Sequence, residues 1–254
     1  MDMVGDVLGR LISDGVALNG LVIPGRSVER ALSRYTFNLI VENGECETYK
    51  ILLAGSATAV RYAGREILLT TQHQVAKVDL SRVAMLTDTG SHAITSGGVR
   101  AYKPNPDTDA HDIVAFDFSE PCRARHELKR RFFNLIENPP DVPSERIGAF
   151  LLSGYPFDDQ KYDIEENNHL GLTRRNVACV LHSQPSDDAL LIVKAQRLLE
   201  IDPDGMSGGS AFSIILTSEG PKAYLSGMIV RGGRELFYIL KVGYITTFLD
   251  RVFS

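Results

Sequence analysis

The chain has 254 residues, 44% of them hydrophobic and 23% charged, with a net charge of −5 and a pI of about 5.7. These are the proportions of an ordinary globular protein with room for one large domain or two small ones. They exclude a long disordered chain, no run approaches the roughly 20 apolar residues of a membrane span, and the overall acidity argues against nucleic-acid binding. The one basic run, Arg123, Arg125, Lys129, Arg130 and Arg131, is interleaved with Glu127 and reads as a solvated helix face.

Taken in chain order, Val4, Val7, Leu8, Leu11 and Ile12 share one face of a 3.6-residue period and predict a first helix. Gly20 and Pro24-Gly25 end that region, and a second short helix is expected from Ser27 to Ser33. Both belong to a helical extension, residues 1–34, whose expected role is to dock on a partner or to self-associate. After Tyr35 short apolar or alternating runs predict strands at 35–41, 48–54, 57–63, 66–71, 75–80, 83–87, 113–118, 149–153, 175–183, 189–195, 210–216, 224–230 and 235–241. A Pro-rich connection, Glu137 to Glu145, divides this part into residues 35–138 and 146–254, and Ile245–Phe253 regains helical spacing. Many short strands with little helix between them predict an all-β fold, an antiparallel sandwich or barrel pair.

Asp2 and Asp6 stand where a signal peptide would carry basic residues. Three cysteines, Cys46, Cys122 and Cys179, are too few and too odd in number for a disulfide framework. Both observations predict a cytoplasmic protein with free thiols.

Three segments carry chemistry. Gly205-Met206-Ser207-Gly208-Gly209 sets a serine among glycines, where a tight turn exposes its hydroxyl and the N–H groups of Gly205 and Ser207 can face one point, an oxyanion hole. Ile67-Leu68-Leu69-Thr70-Thr71-Gln72-His73 runs an apolar strand out to an imidazole. Asp112-Ile113-Val114-Ala115 opens another strand with a carboxylate able to accept the Nδ1–H of a histidine. Asp109, in a polar loop, and Asp117, on the opposite strand face, are weaker rivals. No HExxH, CxxC or histidine cluster at ligand spacing is present, and no lysine follows the Gly-rich turn, so neither a metal nor a phosphate-binding loop is expected, and the chemistry calls for no cofactor.

The order His73, Asp112, Ser207, with Gly154-Tyr155-Pro156, Leu225 to Gly232 and Tyr244 to Val252, resembles the chymotrypsin-like serine peptidases, in the bacterial-type branch without zymogen disulfides. The resemblance covers roughly residues 50 to 254. It implies two packed six-stranded antiparallel β-barrels with a C-terminal helix, a cleft between them, and a serine endopeptidase acting on protein or peptide substrates. Ser207 is then the nucleophile, His73 the base, Asp112 its orienter, and Ile201, Ile229, Val230, Arg231 and Gly232 line the substrate pocket. An apolar pocket of that kind implies cleavage after Val, Ala or Leu, with Asp202 and Arg231 facing solvent. Two positions depart from the pattern: Gln72 replaces a small residue, and Met206 replaces the acid that pairs with a new N-terminus in the digestive branch. The second function class is a catalytically silent binding or adaptor module on the same fold.

Overall fold

A computed structural model of the chain describes residues 15–42, 51–87, 92–103, 105, 108–136, 138, 139, 141, 146–163, 169–183 and 185–253. The expected helix Val4–Ile12, residues 137, 140 and 142–145 of the Glu137–Glu145 connection, and Cys46 lie outside the described residues. The chain is mostly β. It opens with a hairpin, β1 (Val16–Leu18) and β2 (Leu21–Ile23), followed by helix α1 (Val28–Ser33). The hairpin turns at Asn19 (φ 46) and Gly20 (φ 78), two left-handed residues that match the right-handed twist of the strands.

The N-terminal sheet holds β3 (Thr36–Glu42), β4 (Ile51–Tyr62), β5 (Arg65–Thr70), β6 (Val83–Leu86), β7 (Ala93–Thr95), β8 (Gly98–Ala101) and β9 (Val114–Asp117). They run in the order β7-β6-β3-β4-β5-β9-β8, and β10 (Phe133–Asn134) lies parallel to β4. This sheet curls into a half-barrel. The described part of the segment expected as strand 48–54 joins that expected at 57–63 in one strand, β4, and Gly55 (φ +136) sits where the pairing with β3 shifts at Leu39/Ile40.

The expected strand 75–80 is not formed. Gln72–Val75 is a single helical turn, α2, and Leu80–Arg82 a 3-10 turn. The alternation that suggested a strand has another cause: Val75, Val78 and Leu80 pack the returning loop onto the apolar filling of the half-barrel. The basic run does not form one helix face: of its residues only Lys129 lies within a helical turn, α4 (His126–Lys129), while Arg123 follows the turn α3 (Ser119–Cys122) and Arg125, Arg130 and Arg131 flank α4.

The C-terminal sheet is a closed six-stranded antiparallel barrel. Its strands are β11 (Ile147–Gly154), β14 (Arg175–Ser183), β15 (Leu190–Ala195), β16 (Ser210–Thr217), β17 (Gly220–Gly232) and β18 (Leu236–Lys241), with a separate ribbon of β12 (Lys161–Asp163) and β13 (His169–Gly171). Pairing of β16 with β17 closes the ring, and β1 adds parallel to β17 through Ala17 and Lys222. The last helix, α5 (Val242–Phe253), follows directly.

Each sheet curls around its own apolar filling, Phe37, Phe116 and Phe118 in the first and Phe150, Leu152, Ile229 and Phe237 in the second. A third cluster lies between them, where Tyr35, Phe133 and Phe212 meet with ring centroids 5.2–5.9 Å apart and α5 contributes Ile245, Phe248 and Leu249. Burial of these aromatic and aliphatic side chains, about 1.5–3 kcal/mol each, is what locks one sheet on the other.

Candidate active site

His73 stands just past the end of β5. Thr70 and Thr71 are fully buried, then α2 swings the imidazole out, leaving its side chain 52% exposed. Asp112 follows a 3-10 turn, Asp109–His111, whose start is capped by Thr108 Oγ1 accepting the Ala110 N–H. Because β5 and β9 pair with Thr70 opposite Val114, the two strand ends set residues 73 and 112 side by side. Asp112 then grips His73 twice: Oδ1 accepts the backbone N–H at 3.0 Å and Oδ2 accepts the Nδ1–H at 2.6 Å. With Nδ1 carrying the proton, the neutral ring presents Nε2 as an acceptor. The Asp112 hydrogen bond raises the His73 pKa above its ordinary value; partial burial opposes this, and the charges of Asp112, Asp204 and Asp109 add to it.

Asp117 is engaged elsewhere. It takes Arg65 at 2.9 Å and caps Ser119, on the far side of the strand from His73. Asp109 pairs with Arg231 at 3.1 Å, an ion pair that joins the N-terminal half to the end of β17.

Ser207 lies on the loop before β16. Met206 N–H donates to Pro203, Gly209 N–H to Met206 and Gly208 N–H to Ile229 at 2.7 Å, which together wind the loop into a tight turn. Gly205 (φ +92) and Gly208 (φ +84) take left-handed angles, and a Cβ on Gly208 would lie 2.1 Å from the Ser56 carbonyl, so no other residue fits there. Hydroxyls from the opposite sheet hold the turn. Ser56 Oγ donates to the Gly205 carbonyl and accepts the Tyr155 N–H, both at 2.7 Å; Thr58 Oγ1 donates to the Gly208 carbonyl at 2.8 Å; Thr36 and Ser210 share a 2.6 Å hydroxyl pair. Thr70, three residues before His73, abuts Gly208, so the half-barrel carrying His73 and the turn carrying Ser207 meet at this cleft.

The contact from Ser207 to His73 is not made. Ser207 Oγ donates instead to the Val230 carbonyl at 3.2 Å, and among the described residues His73 Nε2 has Thr71 Oγ1 at 3.5 Å as its side-chain neighbour. Gly205 N–H donates to Asp204 Oδ1 at 3.0 Å, while the Ser207 N–H has no partner among the described residues. Catalytic hydrogen bonds are often long or misdirected without substrate.

The five expected pocket residues divide. Ile229 and Val230 are buried; Ile201, half-buried, packs on the barrel core; Gly232 is exposed; and Arg231 lies outside, 4.3 Å over the Tyr238 ring and paired with Asp109. Asp202 is exposed too, its Oδ1 accepting the Asp204 N–H. Next to the Ile229–Gly232 strand, on β18, stands a residue not picked out from the sequence, Phe237. It is fully buried, pairs with Gly232 across β17 and β18, and its ring would come within 2.4 Å of a Cβ at that glycine. Gly232 opposite a large aromatic in a hairpin was the available signal.

No protein-family model and no curated protein matches the chain. Solved structures do. An atomic-resolution structure of HBP aligns over 88% of this chain and 92% of its own with a TM-score of 0.59 at 10% identity. A human heparin binding protein aligns over 88% and 92% with a TM-score of 0.56 at 12% identity. A scabies mite inactivated protease paralogue aligns over 87% and 92% with a TM-score of 0.55 at 13% identity. The fold is therefore the chymotrypsin-like double barrel, and the chain is a protease-fold protein.

Proposed function

We propose that the chain is a serine endopeptidase that hydrolyses peptide bonds through an acyl-enzyme. The observation that carries this reading is the two-point grip of Asp112 on His73, facing the cleft that also holds Ser207. Ser207 Oγ attacks the peptide carbonyl carbon while its proton passes to His73 Nε2, and the carbonyl oxygen takes the negative charge. The N–H groups of Gly205 and Ser207 are the donors available to that oxygen. Collapse breaks the C–N bond, His73 returns the proton to the amine nitrogen, and water repeats the sequence on the ester. Two contacts have to be exchanged first: Ser207 turns from Val230 to His73, and Asp204 releases the Gly205 N–H.

The apolar side chains of Ile201, Ile229 and Val230 favour a small or medium apolar residue such as valine, alanine or leucine next to the cleaved bond, since a charge buried there would be unpaired. The buried thiols of Cys122 and Cys179, both pushed up to about 12 by desolvation, are unpaired and fit a reducing compartment such as the cytoplasm.

The second reading, a silent binding module, is favoured by the same two self-contacts of Ser207 and Gly205. A fluorophosphonate probe separates the readings: one adduct per chain by intact mass, lost in Ser207→Ala, supports the peptidase. No adduct at any pH from 6 to 9 leaves the binding module.

A further inference from the structure

We infer that Gln72 is a positioning residue that holds Asp112 in register with His73, an inference that rests on the peptidase reading above for its catalytic meaning. Its amide nitrogen lies within hydrogen-bond distance of three carbonyl oxygens: His111 at 2.6 Å, Tyr102 at 3.1 Å and Ile113 at 3.1 Å. All three neighbours are acceptors, so the NH2 group, not the oxygen, must face them; the reverse orientation would set four oxygens together.

Two of those carbonyls flank Asp112. The β8–β9 ladder ends at Ala101 opposite Val114, so Tyr102 and Ile113 stand one step beyond the last paired residues, where the strands no longer hold each other. Gln72 bridges them there and acts as an extra rung. Asp112 itself has irregular backbone angles, φ −80 and ψ 55, and belongs to no strand. Its side chain is 23% exposed and that of His73 52%, so packing does not fix either group. The hold is reciprocal: residue 72 donates to the backbone around residue 112, and residue 112 accepts from the backbone and ring of residue 73.

The charged groups bearing on His73 are Asp112, Asp204 and Asp109, the last already paired with Arg231. Loosening Asp112 alone removes the hydrogen bond that chiefly raises the His73 pKa.

The test replaces Gln72 by methionine, which keeps length and volume and removes both donors, with Gln72→Ala as a second variant. Histidine NMR titration should show the His73 pKa falling toward its ordinary value in both. Phosphonylation of Ser207 at neutral pH should slow by up to about a hundredfold, the scale of a misplaced catalytic group, with its pH midpoint moving down. In the unsubstituted protein the two Gln72 amide protons should exchange with solvent more slowly than those of an exposed glutamine. Unprotected protons overturn the inference whether or not the variants fold. So does an unchanged His73 pKa in folded variants, even if the rate falls. If the unsubstituted protein never labels but the His73 shift is seen, the peptidase reading fails and the positioning role stands.

Discussion

The two halves of the cleft are prepared to different degrees. On the half-barrel side, His73 and Asp112 are joined by two hydrogen bonds and braced by Gln72, and with Nδ1 against the carboxylate the neutral imidazole offers Nε2 as an acceptor. On the closed-barrel side, the turn is rigidly built, yet its reactive atoms face inward contacts: Ser207 toward Val230, and Gly205 N–H toward Asp204. The lesson is that a loop can be fixed in backbone while its chemistry is parked, because a side-chain rotation and one carboxylate are all that separate the two states. A half-buried serine hydroxyl turns about a single torsion at little cost, so under the proposed peptidase reading the half-barrel side sets the geometry and the closed-barrel side sets readiness.

The comparison breaks most completely if the two sides do not share a reaction. Ser207→Ala and His73→Ala should each lower peptide hydrolysis by roughly a million-fold, and the double variant should be little worse; losses that multiply would show independent roles. Asp112→Asn should lower the rate by about four orders of magnitude through the wrong tautomer. Asp117→Asn should change it by less than about threefold, since it removes only a partly exposed pair with Arg65.

Smaller effects sharpen the difference. Asp204→Ala should raise the labelling rate of Ser207 by about fivefold, the worth of one hydrogen bond at the Gly205 N–H. It should also lower the midpoint of the pH profile. His73 acts as a base only when neutral, its raised pKa delays that state to higher pH, and Asp204 is one of the charges raising it. A rate that falls in this variant would show that Asp204 helps rather than parks the donor. Asp109→Asn opens the ion pair to Arg231 and should change cleavage by no more than about threefold, an effect that 1 M salt should mimic through screening. The smallest effect expected is none: removal of residues near 34 should not be needed for activity. Met206 is buried against Gly154 and the barrel core, where no ammonium could be met by an acid. Intact-mass labelling of the chain with Met1 in place checks this.

Much of the ladder was legible because strand alternation is imposed by burial on one face. Residues 175–183 and 210–216 coincide with β14 and β16 to within a residue. The pairing of His73 with Asp112 was legible as well, since both sit at ends of strands that a hydrophobic pattern can locate. The hairpin at Val16–Ile23 was not expected, although Asn19-Gly20 between apolar runs is a strong turn signal. Phe237 and the role of Gln72 were harder to read, because each depends on the register of neighbouring strands, Gly232 opposite Phe237 and Ala101 opposite Val114, which alternation alone leaves open. The parked state of Ser207 is a rotamer, and composition carries no trace of it.

The hydroxyl contacts from β3 and β4 to the Ser207 turn carry a consequence for synthesis. Residues 36, 56 and 58 emerge from the ribosome some 150 to 174 positions before the glycines and serine they hold. The final helix closes the same seam, with Tyr62 donating to Asp250 at 2.6 Å and Phe248 against Tyr102. A nascent chain therefore carries His73 and Asp112 long before the Ser207 turn that completes the cleft, and the seam closes only once α5 has been made.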